Sequence, residues 1–244
     1  MLRRQILYKP ICASTNRIAL QLVRAGQAVE GTTIITDHQY AGQGQLTNTW
    51  VTTPGQNLTF SVILTPTFLA ARDHFALNMM ASLALRDVIA PYIAYGLRVK
   101  WPNDIYHQQK KLAGIRIDSL TAGSCLRAAV VGIGCNVNQR AFTLPTATSL
   151  VQVCRRTFRL ENLLHRLLDA LEAYYTCLRV QGISVLHAHY LSQLYGFCQS
   201  CQFRDDQGVF RGVIQGVYTT GQLLVERAGG GVRCYAPKDI SLLM

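Results

Sequence analysis

Hydrophobic and polar positions change period several times along this chain, and each period predicts an element. In STNRIALQLVRAG, Ile18, Ala19, Leu22 and Val23 fall at helical spacing, Ser14 or Thr15 can cap the start, and Gly26 stops it. The β-branched run Thr32–Thr36 predicts a strand. Residues 37–56 then turn polar and rich in Gly, Gln, Asn and Thr, which predicts a long loop. NLTFSVIL (Asn57–Leu64) reads as another strand. Helical spacing returns over residues 68–94, at Ala76, Leu77, Met80, Leu83 and Ala84. LRVKW predicts a strand, IYHQQKKLAGIRID a hairpin turning near Gln108 and Gln109, and LRAAVVGIGCNV (Leu126–Val137) a buried strand. Residues 160–180 and 183–195 predict amphipathic helices. The order implies an α+β fold, a mixed β-sheet with helices on one face.

After about Gly196 the texture changes to short strands: SCQFR, GVFRGVIQGVY, QLLVER, VRCYAP and DISLLM. Breaks fall at Asp205–Gly208, Thr219–Gly221 and Gly229–Gly231. The pattern divides the chain into residues 1–195 and a C-terminal part, residues 196–244, the size of a small SH3-like β-barrel. No internal repeat stands out.

With 244 residues and 49% hydrophobic content, the chain can bury a core. It has no apolar run of about 18 residues, and MLRRQILYKP lacks the apolar stretch of a signal peptide. The expectation is neither a membrane span nor secretion. Cys12, Cys125, Cys135, Cys154 and Cys177 fall in apolar segments, where free thiols act as small hydrophobes. Cys198 and Cys201 form the one CxxC spacing, and without a second pair they make a poor zinc site. A reduced, cytoplasmic chain is expected. The formal charge of +11 favours acidic partners without choosing among nucleic acid, nucleotide and protein.

Candidate chemistry concentrates in two stretches. VKWPNDIY (Val99–Tyr106) brings a lysine, an aromatic, an asparagine and an aspartate to one strand end, where Pro102 cannot continue a ladder. DHQYAGQGQLTNTWVTTPGQN (Asp37–Asn57) carries Gly42 and Gly44, which allow close backbone approach. Successive N–H groups there could cradle a phosphate; a mobile surface turn has the same composition.

STN at a helix start, AGQGQ with TW in a polar loop, KWPND, KLAGI and GIGCNVN, in this order, closely resemble biotin protein ligases. The likeness runs from about Ser14 to the C-terminus, and KWPND followed by KLAG (Lys111–Gly114) is its specific part. It implies a class II aminoacyl-tRNA synthetase-like (biotin–lipoate ligase) fold with a small C-terminal SH3-like barrel. The implied reaction joins biotin to ATP as biotinyl-5′-AMP, then passes biotin to a lysine of a biotin carboxyl carrier protein. Lys111 is the implied catalytic cation between two anions, with Lys110 the solvated neighbour.

The same resemblance implies a biotin site of Ser14, Thr15, Asn16, Gln39, Gly42, Gln43, Gly44, Gln45, Trp101, Lys111 and Gly114. Simple N-capping by Ser14 or Thr15 is compatible with that role. Gln45, Trp50, Asn103, Asp104, Lys111 and Asn136 are implied for the adenylate. Mg2+ is expected with ATP, and Asp104 either binds it or orients Lys100. One departure stands out. The family often carries a loop like GRGRxGR, whereas this chain has Gly42-Gln43-Gly44-Gln45-Leu46-Thr47-Asn48. Charge-assisted bonds to phosphate are roughly twice as strong as neutral ones, so Gln45 should weaken retention of the adenylate.

STN begins at residue 14, leaving no room for the DNA-binding domain of some family members. A monofunctional ligase that binds no DNA is therefore expected, its charge serving nucleotide capture and an acidic carrier domain. Members often pair through the sheet, making a homodimer a further expectation. The rival readings are a lipoate ligase of the same fold and a biotin-binding relative weakened by loss of the loop arginines.

Overall fold

The structure, a computed structural model, describes residues 5–44 and 49–244. The chain begins with β1 (Ile6–Cys12), α1 (Thr15–Arg24), β2 (Thr33–Gln39) and β3 (Leu58–Leu64). It continues through α2 (Phe75–Ile89), β4 (Leu97–Lys100), β5 (Asp104–His107), β6 (Lys110–Ala122) and β7 (Cys125–Cys135). Three helices follow: α3 (Leu150–Cys154), α4 (Leu160–Gln181) and α5 (Ile183–Gln193). The first sheet has the order β1-β2-β3-β7-β6-β5-β4, mixed because β1 runs parallel to β2 while the other pairs are antiparallel.

Strand period explains how this sheet is covered. Leu58, Phe60, Val62 and Leu64 on β3 point the same way as Ala129, Val131, Ile133 and Cys135 on β7. This face receives α2, α4 and α5. Nearly every residue of α2 is buried, as expected of a helix lying between a sheet and another helix. The intervening residues Ile63, Ala128 and Val130 face the other way and pack with Ala19 and Val23 of α1. Helices on one face thus describes α2, α4 and α5 but not α1, which lies on the opposite face. The correction follows from the alternation within β3 and β7.

Strand β1 has no counterpart in the hydrophobic pattern, because most of its residues are exposed at the sheet edge. Residues Asp37–Gln39, expected in a loop, extend β2 instead, paired through His38 and Gln39 with the end of β1.

The C-terminal strands are β8 (Ser200–Asp205), β9 (Gly208–Val217), β10 (Leu223–Arg227), β11 (Val232–Tyr235) and β12 (Ser241–Leu243). They form an antiparallel sheet in the order β11-β10-β9-β8-β12. Phe203, Ile214, Leu223 and Val225 from this sheet belong to the same buried cluster as α2 and β3. Trp101 Nε1 donates to Gly221 O at 2.9 Å, tying the end of β4 to the turn between β9 and β10, and Tyr195 N donates to Val99 O at 2.7 Å, tying the segment after α5 to β4. Among the described residues no helix is long and apolar enough to cross a membrane.

Candidate active site

The face of the first sheet that carries α1 is left open over β6 and β7, because its side chains there have been removed. Gly114 on β6 lies opposite Gly134 on β7, and Gly132 lies opposite Arg116. These glycines make the floor of a cavity of about 250 Å³. A Cβ at Gly132 would lie 2.0 Å from Asn16 Oδ1, and one at Gly134 would lie 2.3 Å from Trp50 Cε2. The amide and the indole therefore rest directly on the strand backbone, an approach that only glycine allows.

A β-bulge delivers Lys111 to this cavity. Ile105 pairs with Ala113, but Tyr106 pairs with Lys111, so Leu112 is the extra residue. Leu112, Ala113 and Ile115 all enter the main core, whereas Lys111 Nζ sits 3.2 Å from where a Gly114 Cβ would be. Unbroken alternation would have put Lys111 on the face of Ala113 and Ile115; the bulge re-aims it. The backbone of Lys111 is held from outside the sheet, its N–H donating to Thr146 O at 2.7 Å and its carbonyl accepting from Thr148 N at 2.9 Å. Its Nζ pairs with Asp104 Oδ1 at 2.7 Å and lies 5.8 Å from the Trp50 ring centre. Lys110 is exposed, as its neighbour's inward turn requires.

Asp104 answers Lys111 through this contact, while Lys100 lies over the Tyr106 ring at 4.9 Å. Burial pushes the Lys100 ammonium below the usual lysine range, with Lys111 adding to that effect and Asp104 opposing it.

The start of α1 builds the other wall. Ser14 occupies the N-cap position in extended geometry, but its side chain makes no capping bond. Gln39 Oε1 accepts instead, from Thr15 N at 2.7 Å and from the Thr15 hydroxyl at 3.1 Å. Ser61 Oγ lies 2.6 Å from both Thr15 Oγ1 and Asn16 Oδ1. Asn16 Nδ2 donates to Asp118 Oδ2 at 2.7 Å. Arg116 then grips Asp118, with Nε 3.1 Å from Oδ2 and Nη2 3.1 Å from Oδ1, and its Nη1 donates to Gly44 O at 2.7 Å.

Of the expected site residues, Ser14, Thr15, Asn16, Gln39, Gln43, Gly44, Trp50, Trp101, Asn103, Asp104, Lys111 and Gly114 line the cavity. Gly42 lies behind it, where a Cβ would meet Trp50 O at 2.4 Å. Asn136 is buried away from it, its Nδ2 donating to Thr148 O at 3.0 Å, next to the backbone that braces Lys111. Asn103 lines the cavity, but its amide donates to Ile115 O and so splices β5 to β6. Gln45 lies outside the described residues.

Arg116, Asp118, Gly132 and Gly134 were not singled out from the sequence. The usable signal was period two along GIRID, which places Gly114, Arg116 and Asp118 on one face. Trp50 Nε1 is buried with no hydrogen-bond partner among the described residues, a donor in the cavity wall. Leu223, Ile240 and Leu242 of the C-terminal part close the far side. Among the described residues no cluster of His, Cys, Asp or Glu could cage a metal ion.

Residues 8–136 match the Biotin/lipoate A/B protein ligase family. The chain is 28% identical to the bifunctional ligase/repressor BirA of Bacillus spizizenii over 242 residues, covering 97% of this chain and 74% of that protein. It is 28% identical to the biotin–[acetyl-CoA-carboxylase] ligase of Paracoccus denitrificans, covering 89% of this chain and 92% of that one. In fold it is similar to the biotin protein ligase from Aquifex aeolicus in complex with biotin and ATP, with a TM-score of 0.80, 22% identity and 99% of each chain covered.

Proposed function

The chain belongs to the biotin/lipoate A/B protein ligase family, and from that premise we propose that it is a biotin protein ligase. Its first step joins the biotin carboxylate to the α-phosphate of ATP, giving biotinyl-5′-AMP and pyrophosphate. Its second transfers biotin to a lysine of a biotin carboxyl carrier protein and releases AMP. The observation that carries this reading is the bulge at Leu112, which puts one ammonium group on a glycine floor between α1 and the Asp104 strand end. Two anions meeting there need a cation between them.

We assign Ser14, Thr15, Asn16, Gln39 and Gly114 to biotin, whose polar ring needs fixed donors and acceptors in an otherwise snug slot. Gln43 and Gly44 border the same slot. Trp50, Asn103 and Asp104 fall to the adenylate side, with Lys111 shared. Trp101 supports the wall and the contact with the C-terminal part. Asn136 acts at one remove, through the segment that braces Lys111. Mg2+ fits as an ion carried by the ATP phosphates, with Asp104 the carboxylate in reach, since no protein cage is available among the described residues. It would supply charge neutralisation of the polyphosphate.

We read residues 1–195 as the catalytic domain and 196–244 as an SH3-like domain whose antiparallel sheet closes the cavity. A homodimer would form at the edge strand β1, where Ile6, Tyr8 and Ile11 are exposed. The test is direct: protein, biotin, ATP, magnesium and a carrier domain, with the carrier's mass read out. Pyrophosphate release with lipoate in place of biotin, and none with biotin, would favour the lipoate ligase instead. Biotin binding that ATP does not enhance, with no carrier labelling, would favour a relative that has lost the chemistry.

A further inference from the structure

We propose that Arg116 is a positioning residue that latches the glycine loop to the sheet and thereby governs retention of the adenylate. The loop carries glutamines at Gln43 and Gln45, so it brings no guanidinium of its own at those positions. The cavity has one nonetheless, and it comes from β6. Arg116 uses one edge of its fork on Asp118, at 3.1 Å from each carboxylate oxygen, and the remaining Nη1 on the Gly44 carbonyl at 2.7 Å. Asp118 is itself fixed by Asn16 at 2.7 Å, and Asn16 rests on Gly132. The guanidinium therefore has little freedom, and the loop backbone it holds is pinned at Gly44. At the other end the stretch starts from Gln39, which is tied to Thr15. Between these anchors Gly42 O accepts from Trp50 N at 3.0 Å, so the latch also sets the position of the Trp50 indole.

A planar fork suits this task where an ammonium does not, because one edge can grip a carboxylate while the other donates to a carbonyl. The ligand half of the proposal rests on the biotin ligase reading; the latch itself does not.

Two measurements separate them. The first follows escape of preformed biotinyl-5′-AMP from wild type, Arg116→Ala, Arg116→Lys and Asp118→Asn. Arg116→Ala should release it about tenfold faster, the effect of losing one charge-assisted bond. Arg116→Lys should fall in between, and KM for biotin should rise more than kcat falls. The second follows chymotrypsin cleavage after Tyr40 and Trp50 without ligand, which should be faster in Arg116→Ala and Asp118→Asn. Should Arg116→Ala fold poorly, Asp118→Asn, which loosens the fork and leaves the guanidinium in place, carries both readouts. Wild-type cleavage rates in both variants would overturn the latch. Wild-type escape rates with faster cleavage would overturn its role in retention. If wild type releases no pyrophosphate from biotin and ATP, the ligase reading fails, and the cleavage comparison still decides the latch.

Discussion

Replacing Lys111 with alanine tests the electrostatic core of this site. In the proposed first step a carboxylate and an α-phosphate approach to bonding distance, and we assign Lys111, which the bulge turns into the cavity, as the cation between them. Two unit charges about 4 Å apart repel by about 4 kcal/mol at an effective dielectric of about 20. At about 1.4 kcal/mol per decade that is close to a thousandfold in rate. Two features of the structure reduce it. The Lys111 side chain is 33% exposed, so water screens part of the repulsion. Lys100 stands nearby as a second cation, though burial weakens its hold on a proton. The expected loss in biotin-dependent pyrophosphate release for Lys111→Ala is therefore about a hundredfold to a thousandfold. Lys110→Ala, on the exposed side of the same strand, should stay within about twofold of wild type. A Lys111→Ala enzyme within threefold of wild type would refute the reasoning, as would equal losses in the two variants.

Four further outcomes are expected. Gly134→Ala should raise KM for ATP while leaving thermal stability nearly intact, since the new methyl must displace the Trp50 ring from 2.3 Å and that ring sits on a loop; unchanged KM would show that Trp50 does not need this seat. Trp101→Phe deletes the bond to Gly221 O and should lower Tm by about 2–4 °C, the cost of roughly 1 kcal/mol in a chain of this size. Burial works against the charged Glu30, but the bonds it accepts from Thr65 N–H and the Tyr175 hydroxyl, together with Arg179, hold its carboxyl below the usual range; its contribution is present above the unfolded carboxylate pKa and is lost as pH falls through the lower folded value, so Glu30→Gln should be less stable near neutrality and flatter in acid by thermal melts. Burial pushes the Cys135 thiol up to about 12, so alkylation of native protein should mark exposed Cys125, Cys198 and Cys234 well before Cys135, and equal rates would contradict that burial.

Elements with strong internal periodicity were legible in the chain. The long helix α4, the hairpin of β5 and β6 and the five C-terminal strands fall where pattern and turn residues put them. Strand β1 was not legible, because an exposed edge strand has no buried face to impose a period of two. The position of α1 was not legible either. A helix shows which of its own faces is apolar but not which face of a sheet receives it; that information lies in Ile63, Ala128 and Val130, far away along the chain. Lys111 shows the same limit on a smaller scale. Alternation separates it from Lys110, yet only the register shift between β5 and β6 decides which lysine meets the cavity. Asn103 and Asn136 read as ligand-facing amides; in the structure each also donates to a backbone carbonyl, Ile115 O and Thr148 O, and only Asn103 lines the cavity.

A sheet face that must hold a ligand cannot also be a packed core, and this chain resolves the conflict strand by strand. On the core face, β7 presents Ala129, Val131, Ile133 and Cys135. On the other, the same strand changes midway from Ala128 and Val130 beneath α1 to Gly132 and Gly134 beneath the cavity. The polar groups brought in over those glycines are costly unless paired, at about 1–3 kcal/mol for each one left unsatisfied. Gln39, Thr15, Ser61, Asn16, Asp118 and Arg116 meet that cost by bonding one another in series. The Trp50 indole N–H does not share in the series and has no partner among the described residues. Among the described residues this donor stands apart from the paired wall, which makes it the point where an acceptor on a ligand would gain a bond.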